Sequence, residues 1–164
     1  MSNVSEIENA VTEFLVECGV SFSVQLVGAT KRDEWECDEW RVTLRGARAE
    51  YVSQFFTGIG HRKMKKNAEA FRNGARPGTI AYADWQKRFS APQAPHAASV
   101  LHSLVLDGQA VDMSFVDWCA EYGYDEDSRK ALSTYEACCE CGRKLRNLFN
   151  TAQRQKLAKI VQEY

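Results

Sequence analysis

The sequence predicts an α+β protein with an N-terminal helix, a three-stranded antiparallel meander and a C-terminal helical bundle. Three observations carry that expectation. Apolar residues recur at helical spacing from Ile7 to Cys18. The period then becomes two over three short runs between Val20 and Thr57, and their short connections favour antiparallel neighbours. Beyond Pro95 the helical period returns and persists to the end.

In the first helix Ser5 is the expected N-cap, with Ile7, Val11, Phe14, Leu15 and Cys18 on one face and Gly19 as the stop. Val20, Phe22, Val24 and Leu26 then alternate with polar residues as a half-buried strand. The segment KRDEWECDE, residues 31–39, reads as a charged turn. Trp40, Val42 and Leu44 form the covered face of a second strand, with Arg41, Thr43 and Arg45 wet. A third strand is expected over Glu50–Thr57.

Residues 58–77 carry glycine and basic side chains, with room for a short helix over Lys63–Phe71. SAPQAP, Ser90–Pro95, reads as a linker. It separates residues 1–89, a helix plus sheet with a basic loop, from a helical subdomain over 95–164 expected to pack on the sheet as one unit. Pro95 suits a first helical turn, with Ala98, Leu101, Leu104 and Val105 inward and Gly108 as the stop. Ser114 caps a short helix to Tyr122, ended by Gly123. Asp125 or Asp127 caps a long helix to about Phe149 that places Leu132, Tyr135, Cys138, Cys139, Gly142 and Leu145 near one face. Asn150, three residues before Gln153, opens the last helix, with Leu157, Ile160 and Val161 inward.

Composition bounds the function. The chain has 164 residues, 45% hydrophobic and 26% charged, which suits one domain with a core and is too apolar for a disordered chain. No apolar run approaches the roughly 20 residues that span a bilayer. MSNVSEIENAV is acidic where a signal peptide is basic and then apolar, so a cytoplasmic location with reduced cysteines is expected. The net charge of −1 hides an asymmetry. Nine carboxylates face Lys31 and Arg32 within residues 1–40, whereas six basic residues face Glu69 within 58–79.

No residue pattern calls for a catalyst, cofactor or metal. Cys138, Cys139 and Cys141 lie almost consecutively on one helix, where neighbouring side chains diverge by about 100° and do not converge on zinc. GIGH lacks the third glycine of a dinucleotide fingerprint. YDEDS has Arg129 and Lys130 where a calcium loop needs ligands, and acidic residues at a helix N-terminus account for it. His61, His96 and His102 belong to no local catalytic signature, and His102 sits beside an apolar helix face.

Binding is the remaining chemistry. Trp35 stands among Glu36, Asp38 and Glu39 in the acidic turn, an aromatic anchor ringed by carboxylates. Arg62, Lys63, Lys65 and Lys66 in the basic loop suit phosphates or an acidic protein surface.

The stretches ASVLHSLVLDG, DMSFVDWCAEYGYDEDSRKALSTYEAC and KLRNLF, together with EWRVTLR and FFTGIGHRK upstream, resemble small proteins of tailed bacteriophages and prophages. The resemblance covers most of the chain and leaves out Ser5–Cys18 and Asn67–Phe89. That family has no assigned activity. Small phage accessory proteins without enzymatic motifs commonly act stoichiometrically on host machinery, anti-CRISPR proteins prominent among them, which is an analogy of origin. The resemblance therefore implies a non-enzymatic inhibitor of a host defence protein or ribonucleoprotein complex such as a CRISPR–Cas effector. The alternative is a nucleic-acid-binding accessory protein of phage replication or transcription.

Overall fold

Asn3, rather than Ser5, begins the first helix. The computed structural model describes residues 3–32, 35–57 and 94–164, and at 31, 32, 35 and 36 it describes the backbone alone. The expectations for 58–93, including the Lys63–Phe71 helix, lie outside the described residues. In α1, Val4–Cys18, the Asn3 side chain accepts from the Glu6 amide at 2.8 Å, and the Glu6 carboxylate accepts from the Asn3 amide at 3.3 Å. This capping box satisfies two otherwise orphaned donors, which Ser5 inside the helix does not do. Ile7, Val11, Phe14 and Leu15 are buried, as their spacing predicts, and Gly19 closes the helix in the left-handed conformation at φ 68°.

Three strands follow, β1 (Ser21–Arg32), β2 (Trp35–Arg45) and β3 (Glu50–Thr57), in an antiparallel sheet of order β1-β2-β3. The charged turn expected over 31–39 is corrected, since only Asp33 and Glu34 lie between β1 and β2. Strand pairing is a backbone interaction, so a run of charged residues does not by itself end it. Along β2 Trp40, Val42 and Leu44 are buried while Arg41 and Arg45 are exposed, the alternation of a sheet with one covered face. Leu26, expected inward, is 39% exposed, two residues before Gly28 at φ 151°.

Residue contacts divide the chain into two compact units. One comprises Ser23–Val42 and Val52–Pro95; within it Trp40 Nε1 donates to Thr57 Oγ1 at 2.7 Å, tying β2 to β3. The other comprises Met1–Phe22, Thr43–Tyr51 and His96–Tyr164, and so draws on chain from both sides of Ser90–Pro95. There the helices α2 (Ala97–Gly108), α3 (Phe115–Tyr122), α4 (Arg129–Leu148) and α5 (Thr151–Val161) assemble with α1. Its centre holds Val11, Phe14, Leu101, Phe149, Leu157 and Val161, each essentially without solvent contact, and the Phe14 and Phe149 rings lie 5.4 Å apart.

Local signals set these helices with two corrections. Pro95 precedes the cap residue His96 instead of lying in the first turn. Ser128, not Asp125 or Asp127, caps α4, its hydroxyl accepting from the Ala131 amide at 3.3 Å. That start places Ala131, Cys139, Cys141, Gly142 and Leu145 inward and leaves Leu132 43% exposed. α2 ends at Gly108 as expected, though without a left-handed cap: its φ is −64° and the chain continues as a 3-10 turn over Gln109–Asp112. A close crossing uses the same glycine. A Cβ built on Gly142 would stand 2.5 Å from the Gly108 carbonyl oxygen and 2.8 Å from Val111 Cγ1. Glycine in mid-helix costs about 1 kcal/mol of propensity, and at 142 it allows α4 to approach the end of α2. The Asn150–Gln153 capping box of α5 forms as expected, and Lys156 Nζ meets Glu17 at 2.8 Å to join α5 to α1.

Candidate interaction site

The α3–α4 junction brings exposed charge and exposed aromatic surface together. The Ser114 hydroxyl accepts from the Asp117 amide at 3.1 Å to start α3, and Gly123 at φ 73° ends it. Gly123 lets the chain reverse sharply, so Tyr122 and Tyr124 leave the helix end on either side of it. The turn is firm. The Asp125 carboxylate accepts from the Asp127 amide at 3.0 Å, and the Tyr124 amide donates to the Cys119 carbonyl at 2.9 Å.

Beneath the turn lies Trp118, 4% exposed. Tyr124 stacks on it with ring centroids 4.6 Å apart and planes 17° from parallel, and Tyr122, Tyr135 and Phe115 surround it at 5.5–6.5 Å. Tyr135 donates its hydroxyl to the Met113 carbonyl at 2.5 Å, which pins α4 to the segment before α3. Both tyrosines of the turn still reach solvent, Tyr122 at 40% and Tyr124 at 42%. Around them Asp117, Glu121, Asp125, Glu126 and Asp127 are all exposed. Among the described residues none of these five carboxylates pairs with a basic side chain, and Arg129 and Lys130 follow at the start of α4. A rigid aromatic base bearing two amphipathic rings and a rim of carboxylates is chemically suited to a cationic protein surface.

The residues singled out in the sequence fall elsewhere. Trp35 and Glu36 belong to the start of β2, where the backbone alone is described. Asp38 is buried at 4% on the same side of β2 as Trp40 and Val42, and Glu39 is half-buried. Arg62, Lys63, Lys65 and Lys66 lie outside the described residues. Tyr122 and Tyr124 were legible only as the flanks of YGYDEDS, whose charges read as helix-capping features.

The thiols are set for packing. Burial pushes Cys138 up to about 11, with Asp107 and the neighbouring thiols adding to the shift. Burial likewise raises Cys141, whose Sγ–H donates to the Leu104 carbonyl at 3.4 Å, and Cys119, where Glu126 and Asp125 contribute. Raised thiols hold little nucleophilic thiolate near neutral pH. Among the described residues no three His, Cys, Asp or Glu side chains converge as metal ligands. His102 Nδ1 donates to the Val161 carbonyl at 2.9 Å, half-buried against α5, and His96 stands 3.6 Å from Glu8. Among the described residues no helix is long and apolar enough to cross a membrane. Comparison with family models, with curated proteins and with solved structures finds no match.

Proposed function

We propose that this chain is a phage-derived binding protein that inhibits a host defence complex by stoichiometric protein–protein contact, with a CRISPR–Cas effector as the complex to which its sequence resemblance points. The observation that carries the reading is the α3–α4 junction. Tyr122 and Tyr124, seated on Trp118 and rimmed by five carboxylates with no basic partner among the described residues, offer the aromatic anchors and negative field that a nucleic-acid-binding partner's basic groove accepts. Such a partner already carries the complementary charge, because its own ligand is a polyanion. The β2 positions Trp35, Glu36, Asp38 and Glu39 and the basic residues Arg62, Lys63, Lys65 and Lys66 are the further contact positions to be compared with it.

The test is a pull-down of the tagged chain from a lysate of a bacterium with active CRISPR systems, with and without nuclease. A stoichiometric protein partner that survives nuclease is expected. It should be lost from Glu121→Lys/Glu126→Lys. Recovery of nucleic acid alone, abolished by nuclease and weakening steeply with salt, would replace this reading with the nucleic-acid-binding accessory protein, for which the basic segment would be the contact.

A further inference from the structure

A groove opens on the helical unit beside the Gly108–Gly142 crossing. It encloses about 310 Å³ between the end of α2, the 3-10 turn, the C-terminal half of α4 and the first turns of α5. That volume lies at the lower end of small-molecule sites, which span roughly 300–1,000 Å³. Its apolar lining is Val105, Val111 and Ala158, which are half-buried, over a floor of the buried Leu145, Phe149 and Leu157. Charge is confined to the rim and is mostly positive.

Two guanidinium groups supply it. Arg154 is fixed in place, Nη1 donating to the Phe149 carbonyl at 2.7 Å and Nη2 to the Thr151 hydroxyl at 3.2 Å. Those bonds use two of its five N–H donors and fix the planar fork among the lining residues. Arg146 is paired with Asp112 across the other side of the rim. Thr151 opens α5, so the positive end of that helix dipole is at the groove as well. With Arg146 balanced by Asp112, Arg154 is the lining charge with no ion-pair partner among the described residues. An apolar trough with one pre-oriented guanidinium in its lining matches a small molecule that has an apolar body and a single anionic head.

We infer that this groove is a binding site for a small amphipathic monocarboxylate, its apolar body lying along Val105, Val111 and Ala158 and its carboxylate on Arg154. The site does not depend on the partner-binding reading, and either can fail without the other. An acid held there bridges the 3-10 turn, α4 and α5.

Octanoate and its uncharged isostere octanamide are the probes, titrated into the isotopically labelled full chain and followed by amide chemical shifts. Octanoate should move amides in the segments 105–112, 142–149 and 151–158 together and saturably. It should bind at least about tenfold more tightly than octanamide, the margin of a charge-assisted over a neutral hydrogen bond. Arg154→Gln should erase that preference, bringing octanoate to within about twofold of octanamide on the same variant. Ala158→Trp, which fills the trough and keeps the arginine, should abolish both. Equal affinity of the wild-type chain for the two probes, perturbations elsewhere, or no saturable change at millimolar octanoate would each overturn the inference. The comparison of the two probes on the wild-type chain requires no variant to fold.

Discussion

Replacing Gly142 with alanine sets two opposing effects against each other, and the geometry decides between them. In an exposed helix interior the change stabilises by about 1 kcal/mol, because alanine loses less backbone freedom on folding. At 142 the added Cβ meets the Gly108 carbonyl oxygen at 2.5 Å and Val111 Cβ and Cγ1 at 2.9 and 2.8 Å. Real Cβ contacts are essentially never under 3.0 Å, and the nearest atom belongs to the backbone, which has no rotamer to change. α4 must therefore move from the end of α2, an overpacking cost of about 3 kcal/mol. The net loss is about 2 kcal/mol, or a fall in Tm of roughly 4–8 °C for a domain of this size. Urea denaturation followed by far-UV circular dichroism should show a lower midpoint with an unchanged slope. A G142A chain as stable as the wild type, or more stable, would refute the close crossing as the reason for that glycine.

Further expectations concern the caps, the thiols and the surface. Asn150→Ala removes the acceptor of the Gln153 amide and half of the capping box, and should cost about 1 kcal/mol by the same denaturation measurement. Cys138, raised to about 11 from 9.0, should alkylate far more slowly near pH 8 than an unfolded thiol, as read by mass spectrometry of iodoacetamide-treated chain. The same shift has a sign for stability. Between pH 9 and about 11 the unfolded thiol ionises while the folded one keeps its proton, so Cys138 contributes stability below pH 9 that is lost as pH rises through that window. Cys138→Ala should flatten the alkaline decline in a series of melts, and an identical decline would remove this thiol from it. Glu121→Lys/Glu126→Lys changes two exposed side chains and should leave stability within about 0.5 kcal/mol, a control that separates lost binding from lost fold.

The sequence foretold elements wherever a single local signal sufficed. The Ile7–Leu15 stripe, Gly19, the Asn150–Gln153 box and the alternation from Trp40 to Leu44 all behave as their spacing predicts. Boundaries failed where two competent residues stood close together. Asn3 and Ser5 can both cap, but only Asn3 has Glu6 three residues on; Ser128 prevails over Asp125 and Asp127 because the Asp125 side chain is occupied by the Asp127 amide. The close approach of Gly108 and Gly142 was not legible, because the two are distant in sequence and no local pattern links them. The candidate surfaces were the least legible part. Trp118 reads as core, and that its burial seats two exposed tyrosines emerges only once Gly123 reverses the chain. Arg146 and Arg154 are unremarkable helix residues until α4 and α5 bring them to one groove.

Contact through the α3–α4 junction is tested most directly by comparing the wild-type chain with Glu121→Lys/Glu126→Lys as bait in nuclease-treated lysate and quantifying the recovered partner against bait. Near-stoichiometric recovery by the wild type, with at least about a tenfold loss for the charge-reversed chain, is the expected result, since like charges set against a basic groove are strongly unfavourable. Equal recovery by both baits would contradict the acidic junction as the contact, and a protein partner absent from both would contradict the stoichiometric inhibitor itself.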